Sequence, residues 1–223
     1  MPYACYLLDA DDTLIDFPVC EEIAFRAVLK NAGILFSRER FQHYQEINRG
    51  YWQKLASGRV TKDHLLVQRF RDFALEEGLS LNAEEANTRF LHHLGQQGPT
   101  LPGARELVKA LHNKAQVIIV TNGVASAQKG KLHHSGLLPY IDHVIISEEV
   151  GAEKPLPAIF EAALCRAQVT DKRTAVMVGD SPDSDIKGAR DYGIDSCLYD
   201  PHDRYADVDC TFRVRHLSEV SLL

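Results

Sequence analysis

The sequence predicts an α/β protein: a doubly wound parallel sheet with an all-helical segment inserted after the first strand. Short runs of apolar and β-branched residues, each closed by turn residues, predict the strands at 3–10, 116–123, 143–149, 174–181 and 195–200. Each run is almost continuously apolar, which is typical of strands buried on both faces. Amphipathic segments of helical length alternate with the later strands, at 103–114, 125–135, 156–168 and 184–192.

Residues 17–97 interrupt this alternation, because they contain helical patterns and no convincing strand. Four helices are expected there. The third begins near Thr61, and Asn82 followed by Glu85 predicts the capping box of the fourth. The Gly/Pro-rich stretch 95–103 returns the chain to the sheet. We therefore expect two domains, one of residues 1–16 and 98–223 and one of residues 17–97. The first helix of the inserted segment is expected to bury one apolar stripe: Cys20, Ile23, Ala24, Ala27 and Val28.

The composition argues against several classes of protein. The formal net charge is −6, so the chain has no basic excess with which to bind a nucleic-acid polymer. No apolar run reaches the length of a membrane span, and Asp9 breaks the N-terminal apolar stretch, unlike a signal peptide. The five cysteines are scattered and form no CxxC motif, which favours reduced thiols and a cytoplasmic protein. The oligomeric state stays open.

Two clusters of carboxylates follow predicted strands. "DADD" places Asp9 and Asp11 after the first strand, and "GDSPDSD" places Asp180 and Asp185 after the strand at 174–181. Residues two apart on an extended chain point to the same side, so Asp9 and Asp11 need a cation or a shared proton between them. Oxygen ligands without a His or Cys pattern favour Mg²⁺. A single Asp at a strand end is more often a helix cap, but two clusters in one chain favour a metal site.

Two further signals lie between these clusters. "TNG" places Thr121 and Asn122 at a strand end, where a hydroxyl, an amide and the N–H groups of the following helix suit a phosphate. Lys154 precedes Pro155, which is expected to begin the next helix and hold the Lys at its mouth. Taken alone, each is also typical of an ordinary turn or a surface residue. Ligands of such sheets bind at the carboxyl ends of the strands, and this position favours an anion site.

In this order, "DADDT", "TNG", "KP" and "GDSPDSD" resemble the four motifs of the haloacid dehalogenase (HAD) superfamily. The resemblance covers the whole chain, since residues 17–97 are similar to that superfamily's inserted cap and the rest to its Rossmann-like core. "NRGYWQKLASGRVTKDHLLVQRF" and "VIISEEVGAEKP" also resemble the house-cleaning pyrimidine 5′-nucleotidases of bacteria. The resemblance implies an Mg²⁺-dependent phosphomonoester hydrolase that acts on a small molecule, preferably a pyrimidine nucleoside monophosphate.

The resemblance also implies roles for individual residues. Asp9 would be the nucleophile that forms an aspartyl-phosphate. Asp11 would be the general acid and base, kept protonated by burial and a neighbouring carboxylate. The metal ligands would be Asp9, the backbone carbonyl of Asp11 and Asp180, with Asp185 orienting Asp180 or a bound water. The phosphoryl oxygens and their charge would be held by three residues: Thr121, Asn122 and Lys154.

Three alternatives stay open. The substrate could be another small phosphate, such as phosphoglycolate or a sugar phosphate. A haloacid dehalogenase could do without Mg²⁺ and without the acid at Asp11. A non-catalytic binding protein would usually lose the nucleophile or the acid. This sequence keeps the nucleophile, the acid and the candidate metal ligands. The leaving group is expected to contact aromatic residues, for which the candidates are Phe17, Tyr51 and Trp52, whereas Phe70 is expected to pack between helices.

Overall fold

The computed structural model describes residues 3–223, which form a six-stranded parallel sheet flanked by helices. The strands are β1 (Cys5–Leu8), β2 (Gln116–Thr121), β3 (His143–Ile146), β4 (Ala175–Gly179), β5 (Asp195–Tyr199) and β6 (Phe212–Val214). Their order in the sheet is β3-β2-β1-β4-β5-β6, and every neighbouring pair is parallel. The predicted doubly wound α/β fold is confirmed.

The first strand lies in the middle of the sheet. Leu8 of β1 pairs with Ile119 of β2 on one side and with Val178 of β4 on the other. The chain therefore winds outward from β1 in both directions, and the carboxyl ends of β2, β1 and β4 lie side by side. In such a sheet this is the position at which a ligand binds.

The strands form the core with the helices that connect them. Met177 of β4 and Ile118 of β2 belong to a buried cluster with Phe160 and Ala163 of the helix before β4. All four residues of β1 are buried, as expected for a central strand with apolar residues on both faces. The helices of this unit are α5 (Ala104–Leu111), α6 (Ala125–Ser135), α7 (Ser147–Val150), α8 (Pro157–Arg166), α9 (Lys187–Tyr192) and α10 (Leu217–Val220).

The chain divides into two compact units. One contains the residues up to Phe17 together with Gly98–Leu223, and the other is Pro18–Gln97. The second unit is all-helical and contains α1 (Phe17–Asn31, which begins one residue earlier), α2 (Arg38–Ala56), α3 (Lys62–Glu76) and α4 (Ala83–Gly95). Over residues 3–223, no helix combines the length and the apolar character that crossing a membrane requires.

Aromatic rings hold the helical unit together. Tyr44 stacks on Phe25 with 4.6 Å between ring centroids and on Phe70 with 5.1 Å. Phe70 is fully buried, as expected. The Asn82 side chain caps α4 by accepting a hydrogen bond from the Glu85 N–H at 2.9 Å, which agrees with the predicted start of that helix.

The buried face of α1 differs from the predicted stripe. Ile23 is 40% exposed, whereas Phe25 and Leu29 are buried beside Cys20, Ala24 and Val28. The expectation for Ile23 is therefore wrong. Phe25 belongs to the aromatic core of the unit, so α1 turns this side inward and leaves Ile23 outside.

Candidate active site

The central position of β1 brings the candidate site residues together. Asp9 follows β1, Asp180 follows β4, and Thr121 is the last residue of β2. The Asp9 N–H donates to the Val178 carbonyl at 2.9 Å, which continues the β1–β4 pairing as far as the first acid. The buried hydroxyl of Thr13 donates to Asp180 Oδ1 at 3.4 Å, so the loop after β1 also contacts the end of β4.

Three carboxylates form a compact cluster at this edge. One oxygen from each of Asp9, Asp180 and Asp185 lies within 4.8 Å of the other two. Lys154 is buried among them, with its Nζ 2.5 Å from Asp9 Oδ1 and 2.7 Å from Asp185 Oδ1. A single ammonium therefore faces three crowded acids. This imbalance of charge suits a cation or retained protons.

The cluster shifts the proton affinity of its members. Burial raises the pKa of Asp9 to about 7, although the neighbouring Lys154 opposes this rise. Burial and the charges of Asp9 and Asp185 raise the pKa of Asp180 well above its ordinary value. Burial alone would lower the pKa of Lys154, but its contacts with Asp185 and Asp9 outweigh burial and raise it. Lys154 is therefore a fixed positive charge, whereas Asp9 can retain a proton near neutrality and Asp180 binds a proton more tightly than an ordinary Asp.

A short π-type turn, Pro182–Ile186, places Asp185. Its Oδ2 accepts a hydrogen bond from the Ser181 N–H at 3.1 Å, and its Oδ1 contacts Lys154. Gly179 makes room for this carboxylate, because a Cβ at that position would lie 2.2 Å from Asp185 Oδ2. Asp185 is therefore a second carboxylate that anchors Lys154, beside Asp9.

Asn122 positions the backbone of Lys154. Its side-chain Nδ2 donates to the Lys154 carbonyl at 2.8 Å, and its Oδ1 accepts from the Lys154 N–H at 2.8 Å. Both ends of the amide are thus engaged with the backbone of one residue, so a phosphate contact from Asn122 would come from its own backbone. The expectation that Pro155 begins the next helix is wrong, because α8 begins at Pro157 after a further turn.

Asp11 has different surroundings from Asp9. Its Oδ2 accepts a hydrogen bond from Gln128 Nε2 at 2.7 Å, and its Oδ1 is in contact with Lys131 Nζ. Both oxygens of Asp11 therefore face donors from α6, and the charge of Asp11 also helps to raise the pKa of Asp9. The Asp11 side chain remains 24% exposed, which leaves one edge of it open.

The hydroxyl of Thr121 accepts two hydrogen bonds, from the Gly123 N–H at 3.1 Å and from Gln128 Nε2 at 2.9 Å. With both acceptor positions taken, its own proton is free to point toward an anion at the strand ends. Sequence reasoning selected Thr121 but missed three residues that contact the site: Thr13, Gln128 and Lys131. The "Q..K" spacing on α6 was the available signal, because residues three apart share a helix face.

The three aromatic candidates lie in different settings. The ring of Phe17 lies beside the ion pair of Asp11 and Lys131, with its centroid 5.2 Å from Lys131 Nζ. Tyr51 is buried in the helical unit, where its hydroxyl donates to Asp72 Oδ2 at 2.5 Å. Trp52, the next residue on α2, is half-buried. Of the three, Phe17 belongs to the unit that contains the carboxylate cluster.

The residues of the cluster fit a magnesium ion. Asp9, Asp180 and Asp185 offer hard oxygen ligands at close range, and within residues 3–223 no other group of His, Cys, Asp or Glu has ligand atoms so arranged. The excess of carboxylates over ammonium supplies the negative charge that a divalent cation needs.

Comparisons with known proteins agree with this geometry. Residues 3–193 match the haloacid dehalogenase-like hydrolase family. The chain is 33% identical to the pyrimidine 5′-nucleotidase YjjG of Escherichia coli and 32% identical to PynA of Streptococcus pneumoniae, over 92% and 91% of its length and 89% and 86% of theirs.

A crystal structure of the HAD-hydrolase YfnB from Bacillus subtilis, bound to magnesium, superposes with a TM-score of 0.92 at 29% identity. The alignment covers 98% of this chain and 96% of YfnB. Motifs, sheet order and inserted helices therefore agree with one another: the chain belongs to the haloacid dehalogenase-like hydrolases and is a phosphatase of that family.

Proposed function

We propose that this phosphatase hydrolyses nucleoside 5′-monophosphates, preferably those of pyrimidines, through an aspartyl-phosphate on Asp9. The observation that carries the chemistry is the buried contact of Asp9 with Lys154, beside Asp180 and Asp185 at the carboxyl ends of the strands. The substrate is supported by the similarity to two pyrimidine 5′-nucleotidases over more than nine-tenths of the chain. The scattered free cysteines support a cytoplasmic setting.

In the first step an oxygen of Asp9 attacks phosphorus, a new O–P bond forms, and the bond to the leaving oxygen breaks. Lys154 is held by two carboxylates, so its ammonium is oriented before the substrate arrives. Lys154 then balances charge that gathers on the phosphoryl oxygens. Thr121 directs its hydroxyl proton toward the phosphoryl group. The side chain of Asn122 holds the backbone of Lys154 in place.

Asp11 transfers the protons. It gives a proton to the leaving alkoxide in the first step and takes one from the attacking water in the second, which regenerates Asp9 and releases phosphate. The exposed edge of its side chain leaves room for the leaving oxygen. The two acids of one loop thus have separate tasks, since Asp9 is buried against Lys154 and Asp11 contacts α6.

Mg²⁺ is the proposed metal, held by Asp9 and Asp180 with Asp185 beside them and with the backbone carbonyl of Asp11 as a further ligand. When bound, it would supply the positive charge that allows a phosphate dianion to approach the carboxylates. Asp9, the proposed nucleophile, would also be one of the residues that hold the metal. Asp185 contributes by holding Lys154 as well.

The nucleobase would bind to flat apolar surface, for which Phe17, in the unit that contains the carboxylate cluster, is the proposed contact. Tyr51 and Trp52 of the helical unit stay candidates from the sequence. Phe17 is half-buried and lies near Asp11 through Lys131. Stacking alone accepts any flat ring, so a preference for pyrimidines would come from the size of the slot, and we expect it to be modest.

The test compares kcat/KM for UMP, dUMP and dTMP with kcat/KM for AMP, phosphoglycolate and glucose 6-phosphate. We expect the pyrimidine nucleotides to be hydrolysed best, activity to be lost in excess chelator, and Asp9→Asn to be inactive with no labelled phosphoenzyme. A clear preference for phosphoglycolate or the sugar phosphate would overturn the nucleotidase proposal. Full turnover by Asp9→Asn would overturn the mechanism itself.

A further inference from the structure

Helix α6 turns two long polar side chains away from solvent. Gln128 and Lys131, one turn apart, are each about 1% exposed, whereas Lys129, His133 and His134 on the same helix are exposed. A buried Lys is rare unless it is paired, and a buried amide needs partners. Neither Gln128 nor Lys131 has a role in the phosphoryl transfer described above.

The partners of both side chains are site residues. Gln128 Nε2 bridges Asp11 Oδ2 at 2.7 Å and Thr121 Oγ1 at 2.9 Å. Lys131 Nζ contacts the other oxygen of Asp11, and its remaining side faces the ring of Phe17. One helix therefore holds both oxygens of the proposed general acid and, through the same amide, the hydroxyl of the phosphate-binding Thr121.

Lys131 and Asp11, which contact each other, differ in burial. Lys131 is covered, whereas Asp11 keeps an open edge of 24%. The contact therefore leaves Asp11 accessible to a leaving group while it removes the rotational freedom of the carboxylate. A proton-transfer group gains rate when its oxygen is held at the reacting atom, because misplacement by about 1 Å can cost roughly a hundredfold.

Gly123 lies against the Gln128 amide, where a larger residue would not fit. A Cβ on Gly123 would lie 1.9 Å from Gln128 Nε2 and 2.7 Å from its Cδ. Gly123 itself donates its N–H to Thr121 Oγ1, so one residue both yields to the amide and completes the hydrogen bonds of the hydroxyl. Backbone and helix thus converge on the same two functional groups.

We propose that Gln128 and Lys131 are positioning residues: they fix the Asp11 carboxylate for leaving-group protonation, and Gln128 also aligns the Thr121 hydroxyl with the phosphate. This rests on the proposed function, in which Asp11 transfers protons to and from the substrate. Neither residue touches the reacting atoms. Their effect should therefore depend on how much help the leaving group needs.

The test measures kcat and KM for a nucleoside 5′-monophosphate, whose alkoxide needs a proton, and for p-nitrophenyl phosphate, whose phenolate hardly does. Lys131→Met should lower kcat/KM for the nucleotide by roughly ten- to a hundredfold and kcat/KM for the aryl ester by only a few-fold. This parameter reports on departure of the leaving group and not on the later hydrolysis of the phosphoenzyme, which both substrates share. Gln128→Leu should do the same and also raise KM for both substrates, because it frees the Thr121 hydroxyl. The ratio of the two kcat/KM values is independent of the fraction of enzyme that is folded.

Two further variants separate positioning from packing. Lys131→Arg keeps a donor for Asp11 and should recover most of the nucleotide-to-aryl ratio that Lys131→Met loses. Lys129→Met, the same change two residues away on the exposed face of α6, should match the wild type on both substrates. An unchanged ratio in both Gln128→Leu and Lys131→Met would overturn the proposal, even if both variants lost thermal stability.

The same assay separates this proposal from the function on which it rests. If the wild type hydrolyses neither ester, or if Asp11→Asn leaves the ratio unchanged, the proposed role of Asp11 fails first. If Asp11→Asn loses the nucleotide selectively while Gln128→Leu and Lys131→Met do not, only the positioning role is overturned.

Discussion

Lys154 carries the largest share of the site's charge balance. Its ammonium contacts Asp9 and Asp185, and the Lys154 side chain is 2% exposed. A buried carboxylate that loses its only close cation is costly, because the charged form then has neither solvent nor partner. Under the proposed mechanism Lys154 is thus needed twice, for the protein without substrate and for the phosphoryl group during transfer.

We expect Lys154→Ala to lower kcat/KM by roughly two to three orders of magnitude, since an oriented cation at the transferring group is lost. Lys154→Arg should restore little of it, because a planar guanidinium does not fit where a compact ammonium is enclosed. Steady-state kinetics on p-nitrophenyl phosphate measures both. Lys187→Ala, an exposed lysine paired with Asp191, is the matched control. A near-normal Lys154→Ala enzyme would exclude Lys154 from the reaction.

The residues that sequence reasoning selected share a position at strand ends, where chemistry and topology coincide. Asp9, Thr121 and Asp180 were predictable because buried strands leave a strong apolar signal and end at a definite residue. Gln128 and Lys131 were not, because a polar residue on an amphipathic helix is usually solvated. Their burial depends on which face α6 turns toward the loop after β1, and that is a tertiary contact.

Secondary-structure elements also divide into those that the local sequence predicts and those that depend on tertiary contacts. The five predicted strands have strong apolar runs, whereas β6 (Phe212–Val214) has three residues with Arg213 in the middle. Such a segment becomes a strand through its pairing with β5, and local propensity gives little sign of it. The helical character of residues 17–97 was predictable, but the rotation of α1 about its own axis depended on the aromatic cluster.

Helix α2 contains a glycine that the fold does not require. Gly50 lies inside Arg38–Ala56, and a Cβ there would have no neighbour within 4 Å. We expect Gly50→Ala to stabilise the protein by roughly 0.5–1 kcal/mol, because Ala loses less backbone entropy in a helix. Urea denaturation checks this. Gly33→Ala is the control with equal space, and its φ of +69° should make it destabilising. A destabilised Gly50→Ala would mean that α2 needs this glycine.

At the scale of the whole molecule, the carboxylate cluster links stability to pH. Burial raises the pKa of Asp9 from 3.8 to about 7, and the pKa of Asp180 shifts in the same direction. The folded protein therefore holds protons that the unfolded chain releases between these values. This contribution to stability is fully present below pH 3.8 and is lost as the pH rises through 7.

A metal that binds the carboxylates competes with those protons. We expect Mg²⁺ to raise the Tm more at pH 8 than at pH 5.5, because Asp9 is deprotonated at the higher pH. Thermal denaturation with Mg²⁺ or with chelator at both pH values measures the difference. Asp180→Asn should reduce the shift at pH 8. An equal shift at the two pH values would place the metal away from Asp9.

The central position of β1 also affects how the protein forms during synthesis. Asp9 leaves the ribosome long before its partners: Lys131 follows Asp11 by 120 residues, and Lys154 follows Asp9 by 145. Thr13 waits 167 residues for Asp180. The helices of Pro18–Gln97, whose neighbours are close in the chain, can fold in that interval, while the apolar strand β1 stays without both of its neighbours. The first strand made is thus among the last to be buried, and nascent chains released before β4 are those most exposed to aggregation.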